Sequence, residues 1–257
     1  PEVQTVVNQL RSDLLNEKVK SINPIWPKVF HNFTISKIHK AIAGKKIIDI
    51  KRRAKFIIIQ FNNNVVAIHL RMTGKLYIQS SQKSIPKHTS AYFTFESTKT
   101  LIFDDVRKFG RIYLYKTMVP INKKHGPEPL DDNFTFDSFF PLLKTKKRNI
   151  KSLLLDQKII AGLGNIYVDE SLWASGIHPN SISNLIPQKK VKLLHRNIKK
   201  ILIDAIQKNG TTIINFSVNG ESGKYANELK IYGRTTLDCF VCQNTIKKIR
   251  VAGRGTY

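Results

Sequence analysis

Cysteine is scarce in this 257-residue chain: two residues cannot build a disulfide framework, and their spacing, Cys239-Phe-Val-Cys242, is that of a metal knuckle or a redox pair. Long apolar runs are missing too. Residues 56–59 and 65–70 form the longest and fall far short of the ~20 residues a membrane helix needs, which argues against a transmembrane protein. The opening PEVQTVVNQLRSDLL has no basic stretch followed by an apolar core and a small-residue cleavage site, so no secretory signal is expected and the cytosol is the default location. There is no internal repeat and no low-complexity tract. Acidic residues are few, 18 against 43 Lys and Arg, for a net charge of +25 and a pI near 10.1. A polyanion explains that imbalance better than a bilayer surface does, and nucleic acid is the expected partner.

The length fits one large or two modest domains at roughly 150 residues each, and 41% hydrophobic residues suffices for a real core. The first half reads as strands. IIDIKRRAKFIIIQF, VVAIHL, KLYIQ, AYFTFE, TLIFDD and RIYLY are rich in Ile, Val, Phe and Tyr and separated by short turns, which predicts an antiparallel sandwich or barrel after a helix over residues 3–15. Gly126, Pro127 and Pro129 in HGPEPLDDN forbid regular structure and mark a hinge. Beyond it the pattern turns helical. Val191, Leu194, Ile198, Ile201, Leu202, Ala205 and Ile206 share one face, Lys190, Lys192, Arg196, Lys199 and Lys200 lie elsewhere, and Gly210 ends the helix.

Residues 150–179, IKSLLLDQKIIAGLGNIYVDESLWASGIHP, predict two helices joined by glycine turns, with Asn165 as a cap and Gly176 as a stop. A glycine-rich turn feeding a helix N-terminus aims backbone N–H groups and a positive dipole end at one place, which suits a phosphate; a tight turn between core helices would read the same. The wording DQKIIAGLGNIYVDESLWASGIHP closely resembles the helix-two-turn-helix of formamidopyrimidine-DNA glycosylases. RRAKFIII, HLRMTGKL, PKHTSAYFTF, DDVRKFGR, GPEPL, IYGR and VAGRGT follow in that family's order, so the resemblance spans nearly the whole chain. Endonuclease VIII is the sister family, and Arg107-Lys108-Phe109-Gly110 with the context of Met72 favours the former. Composition alone would also admit an RNA- or ribosome-binding protein, and the alignment of Pro1 admits a catalytically inert DNA-binding relative.

The resemblance implies an α+β fold: an antiparallel β-sandwich with a helix over 1–120, a hinge over 121–132, a helix-two-turn-helix domain over 133–228 and a partial zinc ribbon over 229–257, with DNA in a basic cleft between them. The implied activity is excision of oxidised purines such as 8-oxoguanine and formamidopyrimidines from damaged double-stranded DNA, then strand cleavage at the abasic site, by a monomer in the bacterial cytosol or nucleoid. A base cut from a duplex must first be extruded, at roughly a few kcal/mol of unstacking, and the hole it leaves must be filled. Apolar wedges do that in other DNA-bending proteins. The resemblance assigns this to Met72, Arg107 and Phe109, with Arg107 facing the orphaned base. It makes Lys55, read here as lying on a strand, a catalytic lysine, and His69, His88, Lys151 and Asn165 phosphate or lesion-strand contacts. It also implies that Arg254, at the hairpin turn, enters the minor groove at the lesion phosphate and assists the second elimination. The loop over 218–228 resembles one that closes over the flipped base.

In this family the nucleophile is the amine of an N-terminal proline, whose pKa near about 8 leaves more of it unprotonated than lysine at about 10.4. The chain opens Pro1-Glu2-Val3-Gln4-Thr5, which matches the second Pro-Glu of the family's P-E-L-P-E-V-E-T. A Pro-Glu-Leu tripeptide is therefore expected before position 1, and Pro1 and Glu2 are catalytic only if the N-terminus is intact. The resemblance also implies one structural Zn2+, and such a site takes four ligands, in a ribbon two Cys-x-x-Cys pairs. Cys239 and Cys242 are one pair, the hairpin TIKKIRVAGRGTY follows, and no His comes after Cys242. Zinc is expected to be held weakly and the hairpin carrying Arg254 to be mobile.

Overall fold

The structure is a computed structural model that describes residues 1–211, 217–218 and 221–257. The chain divides into two compact units, Pro1–Ile121 with Asn209–Gly223, and Asn122–Lys208 with Lys224–Tyr257.

In the first unit α1 (Glu2–Leu14) buries Val6, Val7, Leu10 and Leu14, the spacing that one helical face requires. Two antiparallel four-stranded sheets follow. One runs β1 (Val19–Pro24), β6 (Thr89–Phe95), β7 (Lys99–Asp105), β5 (Gly74–Ser80). The other runs β2 (Asp49–Arg53), β3 (Phe56–Phe61), β4 (Asn64–His69), β8 (Arg111–Tyr115). Side chains alternate faces along a strand, and the sequence uses that period. Ile57, Ile59, Val66 and Ile68 join Ile22, Phe93 and Phe103 of the other sheet in one large core, while Ile58, Val65 and Ala67 form a second cluster with Ile121. The helix α2 (Ile35–Ile42), capped by Thr34 accepting from the Lys37 N–H, adds Ile38 and Ile42 to the large core. A single turn, α3 (Val119–Asn122), ends the main segment, and the two-residue strands β9 (Ser217–Val218) and β10 (Glu221–Ser222) pair with each other.

IIDIKRRAKFIIIQF is two strands rather than one. Ala54, at a φ of +52°, and Lys55 make the turn between β2 and β3, so Lys55 sits at a hairpin tip and not on a strand. The turn falls in Lys51-Arg52-Arg53-Ala54-Lys55, a basic stretch with none of the Gly, Pro, Asn or Asp residues that usually mark a turn.

The second unit is helical: α4 (Phe136–Lys144), α5 (Ile150–Leu155), α6 (Asn165–Ala174) and α7 (Gln188–Gln207). Val191, Leu194, Ile198, Leu202 and Ala205 of α7 pack against Phe139, Leu143, Leu153, Val168 and Leu172. Asn209 and Gly210, both in the left-handed region, follow the end of α7. Residues 125–133 are irregular and bonded to this unit: the Gly126 N–H donates to the Gln157 carbonyl, and the Pro127 carbonyl accepts from Ala161. The last element is the hairpin of β11 (Ile249–Val251) and β12 (Arg254–Thr256), turned by Ala252 and Gly253 at positive φ. Such turns match the twist of the strands they join. No helix among the described residues is long and apolar enough to cross a membrane.

Candidate nucleic-acid interface

In the first unit the loops at one end of the sheets hold most of the residues singled out from sequence. Met72 lies in the connection from β4 to β5, and Arg107 and Phe109 in the connection from β7 to β8. Met72 is 67% exposed and Phe109 47%. Arg107 brings the three together: its Nη1 lies 3.3 Å from Met72 Sδ and its Cζ 4.7 Å from the centre of the Phe109 ring. An apolar tip, a planar cation and an aromatic face thus form one projecting cluster.

Strand register places Lys55 and His69 at a common end of the second sheet, since Phe56, next to Lys55, pairs with His69. The half-buried His69 ring packs edge-on to Phe56 at 4.8 Å, and its Nδ1 accepts the Arg71 N–H. The start of α1 reaches the same turn. Arg52 donates from Nε to Gln4 Oε1 at 3.0 Å and from Nη1 to the Ala54 carbonyl. Pro1 N is 3.9 Å from Glu2 Oε2, and Glu2 Oε1 accepts the Thr211 N–H at 3.0 Å. His88 is exposed in the turn before β6, and its carbonyl accepts the Asp105 N–H. A cavity of about 770 Å³ in this unit shares no residue with these groups. Six lysines line it, as expected where 43 basic residues are spread over one surface.

In the second unit the glycine turn is as expected, but Asn165 is not the cap. Gly164 occupies that position and Asn165 is the first helical residue. Its side-chain NH2 donates to the Gly255 carbonyl of β12 at 2.9 Å. Lys151 is fully buried. Its ammonium meets Asp169 Oδ1 at 2.6 Å, Thr256 Oγ1 at 2.7 Å and the Gly255 carbonyl at 3.1 Å. Burial lowers the Lys151 pKa against the pull of Asp169, and burial raises Asp169 to about 6 against the pull of Lys151. Asp169 Oδ2 also accepts the Tyr257 N–H. The hairpin expected to be mobile is therefore bonded at Gly255, Thr256 and Tyr257, with Arg254 exposed beside its turn.

Glu170 has a related task that the sequence reading missed. Its buried carboxylate accepts the N–H groups of Lys230, Ile231 and Tyr232 at 2.9–3.1 Å. The signal was present in α6, where residues 167–172 are all buried and include two acids that must find internal partners. Asp105, buried between the Met72 and Arg107 loops, was also missed.

Cys239 packs with Ile231, Ile246 and Trp173. Hydrogen bonds from the Trp173 indole and from backbone N–H groups of Cys242 and Val241 lower its thiol pKa to about 7. Cys242 is exposed. Two sulfurs are half of a structural zinc set, and among the described residues no group of three or more His, Cys, Asp or Glu could hold a metal. The donors present do not fit a closed zinc site. The loop expected over 218–228 lies partly outside the described residues.

Comparison with known proteins agrees along the whole chain. Residues 1–112 match the formamidopyrimidine-DNA glycosylase N-terminal domain and residues 125–217 the formamidopyrimidine-DNA glycosylase H2TH domain. The formamidopyrimidine-DNA glycosylase of Lactobacillus acidophilus is 41% identical over 262 aligned residues, covering 100% of this chain and 95% of that protein. That of Enterococcus faecalis is 38% identical, covering 100% and 94%. Crystal structures of the Lactococcus lactis Fpg with abasic-site DNA and with Fapy-dG-containing DNA superpose with TM-scores of 0.93 and 0.91, at 38% identity over 100% of this chain and 96% of theirs. On sequence, fold and coverage together, the chain belongs to the formamidopyrimidine-DNA glycosylase family.

Proposed function

We propose that this chain is a base-excision-repair glycosylase with abasic-site lyase activity, removing oxidised purines such as 8-oxoguanine and formamidopyrimidines from duplex DNA. The observation that carries the reading is the projecting cluster of Met72, Arg107 and Phe109. Extruding a base leaves a gap in the stack, and a thioether, a guanidinium and a phenyl ring held in contact suit that gap better than solvent. Relatives crystallised on Fapy-dG and abasic-site DNA support it, as does the net charge of +25.

The other residues take roles consistent with their places. Lys55 at its hairpin tip assists proton transfer at the lesion, and His69 and His88 contact the lesion strand. Asn165 and Lys151 act mainly through the hairpin they hold, which presents Arg254 to the lesion phosphate. The nucleophile is the amine of an N-terminal proline. It attacks C1′ as the glycosidic bond breaks and the protonated base departs; the C1′–O4′ bond then breaks with O4′ taking a proton, which opens the sugar and leaves an iminium that promotes loss of a C2′ proton and expulsion of the 3′ and then the 5′ phosphate. A neighbouring carboxylate shuttles the protons. Residues 1–120 would act as the catalytic sandwich, 121–132 as a hinge, 133–228 as the DNA-binding helical domain and 229–257 as a partial finger, in a monomer working at the bacterial nucleoid. Zinc binding, with Cys239 and Cys242 as two of four ligands, carries no step of this chemistry.

Borohydride trapping on duplex DNA containing 8-oxoguanine tests the reading, with the N-terminal residue fixed by intact mass. A covalent adduct at residue 1 makes Pro1 the nucleophile. An adduct formed only when Pro-Glu-Leu is added in front assigns the amine to that added proline. No adduct in either form, with DNA still bound, overturns the enzyme in favour of an inert DNA-binding relative.

A further inference from the structure

Asp105, the last residue of β7, is 1% exposed, yet none of the roles above uses it. Its carboxylate ties together the two loops that carry the projecting cluster. Oδ1 accepts the Thr73 hydroxyl at 2.5 Å and the Arg107 N–H at 3.3 Å, while Oδ2 accepts the Gly110 N–H at 2.7 Å. Thr73 follows Met72, and Arg107 and Gly110 bracket Phe109, so one side chain spans both attachments of the trio. The Arg107 N–H is shared with Thr73 Oγ1 at 3.3 Å, which links the loops a second time.

The backbone of Asp105 extends the junction. Its N–H donates to the His88 carbonyl and its carbonyl accepts from Lys108, which lies at a φ of +55°. Gly110 is required for the close approach. A Cβ there would stand 2.3 Å from Phe103 Cζ and 3.1 Å from Asp105 Oδ2.

Burying a carboxylate is costly, and a serine or asparagine would close either loop with less desolvation. Two acceptor oxygens on one planar group can hold both loops at once, which neither alternative can do. Exposed loops bearing large side chains would otherwise sample many conformations, and ordering them on binding weakens recognition.

We propose that Asp105 is a positioning residue for lesion recognition: without touching DNA, it locks the two loops so that Met72, Arg107 and Phe109 enter the duplex as one preformed unit. The inference rests on the wedge role given to that trio under Proposed function.

The test is a double-mutant cycle in the full chain. It measures affinity for a duplex with a tetrahydrofuran abasic-site analogue and for the same duplex undamaged, with the melting temperature of each variant. Asp105→Asn keeps one acceptor oxygen and puts a donor against the other loop. It should lower the lesion-to-undamaged ratio about tenfold or more, in the range of coupled contacts, and leave undamaged-duplex affinity nearly unchanged. Arg107→Ala should lower the same ratio, and adding Asp105→Asn to it should change the ratio by less than about twofold, the signature of two residues acting as a unit. A merely structural Asp105 would lower the melting temperature and add its full effect in both backgrounds, which overturns the proposal. So does an unchanged ratio for Asp105→Asn when Arg107→Ala has an effect. If Arg107→Ala itself leaves the ratio unchanged, the wedge reading fails and this inference with it. Should Asp105→Asn not fold, Thr73→Val removes the hydroxyl that donates to Asp105 and accepts from the Arg107 N–H, and should lower the ratio by about threefold in the same cycle; no change overturns the proposal.

Discussion

Asp169 and Lys151 face each other 2.6 Å apart, both fully buried, and burial is the largest influence on each. The Asp169 carboxyl, raised to about 6, lies above the about 3.9 of an unfolded chain. The folded state therefore holds this proton more tightly. Its contribution to stability is complete below about pH 4 and is lost as the pH rises through about 6, opposite to the usual surface carboxylate. Asp169→Asn should thus be least favourable relative to the parent near pH 4 and improve towards pH 7, read as the difference in melting temperature. A difference that is flat or runs the other way would mean that the Lys151 ammonium, not burial, governs the group. At this scale the motif made Lys151 and Asn165 stand out but not what they touch. A lysine that meets a phosphate and one that holds its own hairpin have the same place in the motif, and only burial separates them.

Among the elements, α6 joins the helical core to the C-terminal segment. Glu170 holds the N–H groups of Lys230, Ile231 and Tyr232, and Asp169 and Lys151 hold the end of β12. Glu170→Gln keeps the shape but replaces an acceptor oxygen with a donor, so amides that now share Oε1 lose their partner. Hydrogen exchange at amides 230–232 should speed up by roughly tenfold or more, while those of α7 keep their protection. Unchanged protection at 230–232 would mean that the packing of Ile231 with Cys239 and Ile246 fixes the segment by itself. The helices and most strands were legible in sequence because their apolar periods are clean, as in α7 and β8. The break at Ala54 and Lys55 was not, since the basic stretch 51–55 carries no Gly, Pro, Asn or Asp to mark a turn. The cap of α6 was mistaken as well. Asn165 is a good cap by type, but the helix begins at it rather than after it, and its NH2 donates to the Gly255 carbonyl.

For the whole molecule, the net charge of +25 makes a claim independent of every motif. Binding to undamaged duplex should weaken steeply with salt. With about six or more neutralised phosphates, the affinity should fall by roughly a thousandfold between about 50 and 200 mM salt. The contribution of Met72, Arg107 and Phe109 to lesion preference, which is mostly short-range contact, should persist over the same range. A shallow salt slope would mean that few of the lysines meet DNA, and that the charge serves solubility.

The sequence by itself determined the family, the α+β plan, the polyanionic partner and the identity of most candidate residues. These rest on local features: composition, apolar period, and motifs whose residue types follow one another in order. Only the tertiary structure decided that Lys55 caps a hairpin, that Lys151 faces inward, that Glu170 gathers three amides, and that Asp105 joins two loops 32 residues apart at Thr73 and Asp105. Each of these depends on which distant backbone comes within hydrogen-bond reach of a buried polar group. Burial makes such a bond obligatory, but the partner is chosen by packing rather than by neighbours in the chain.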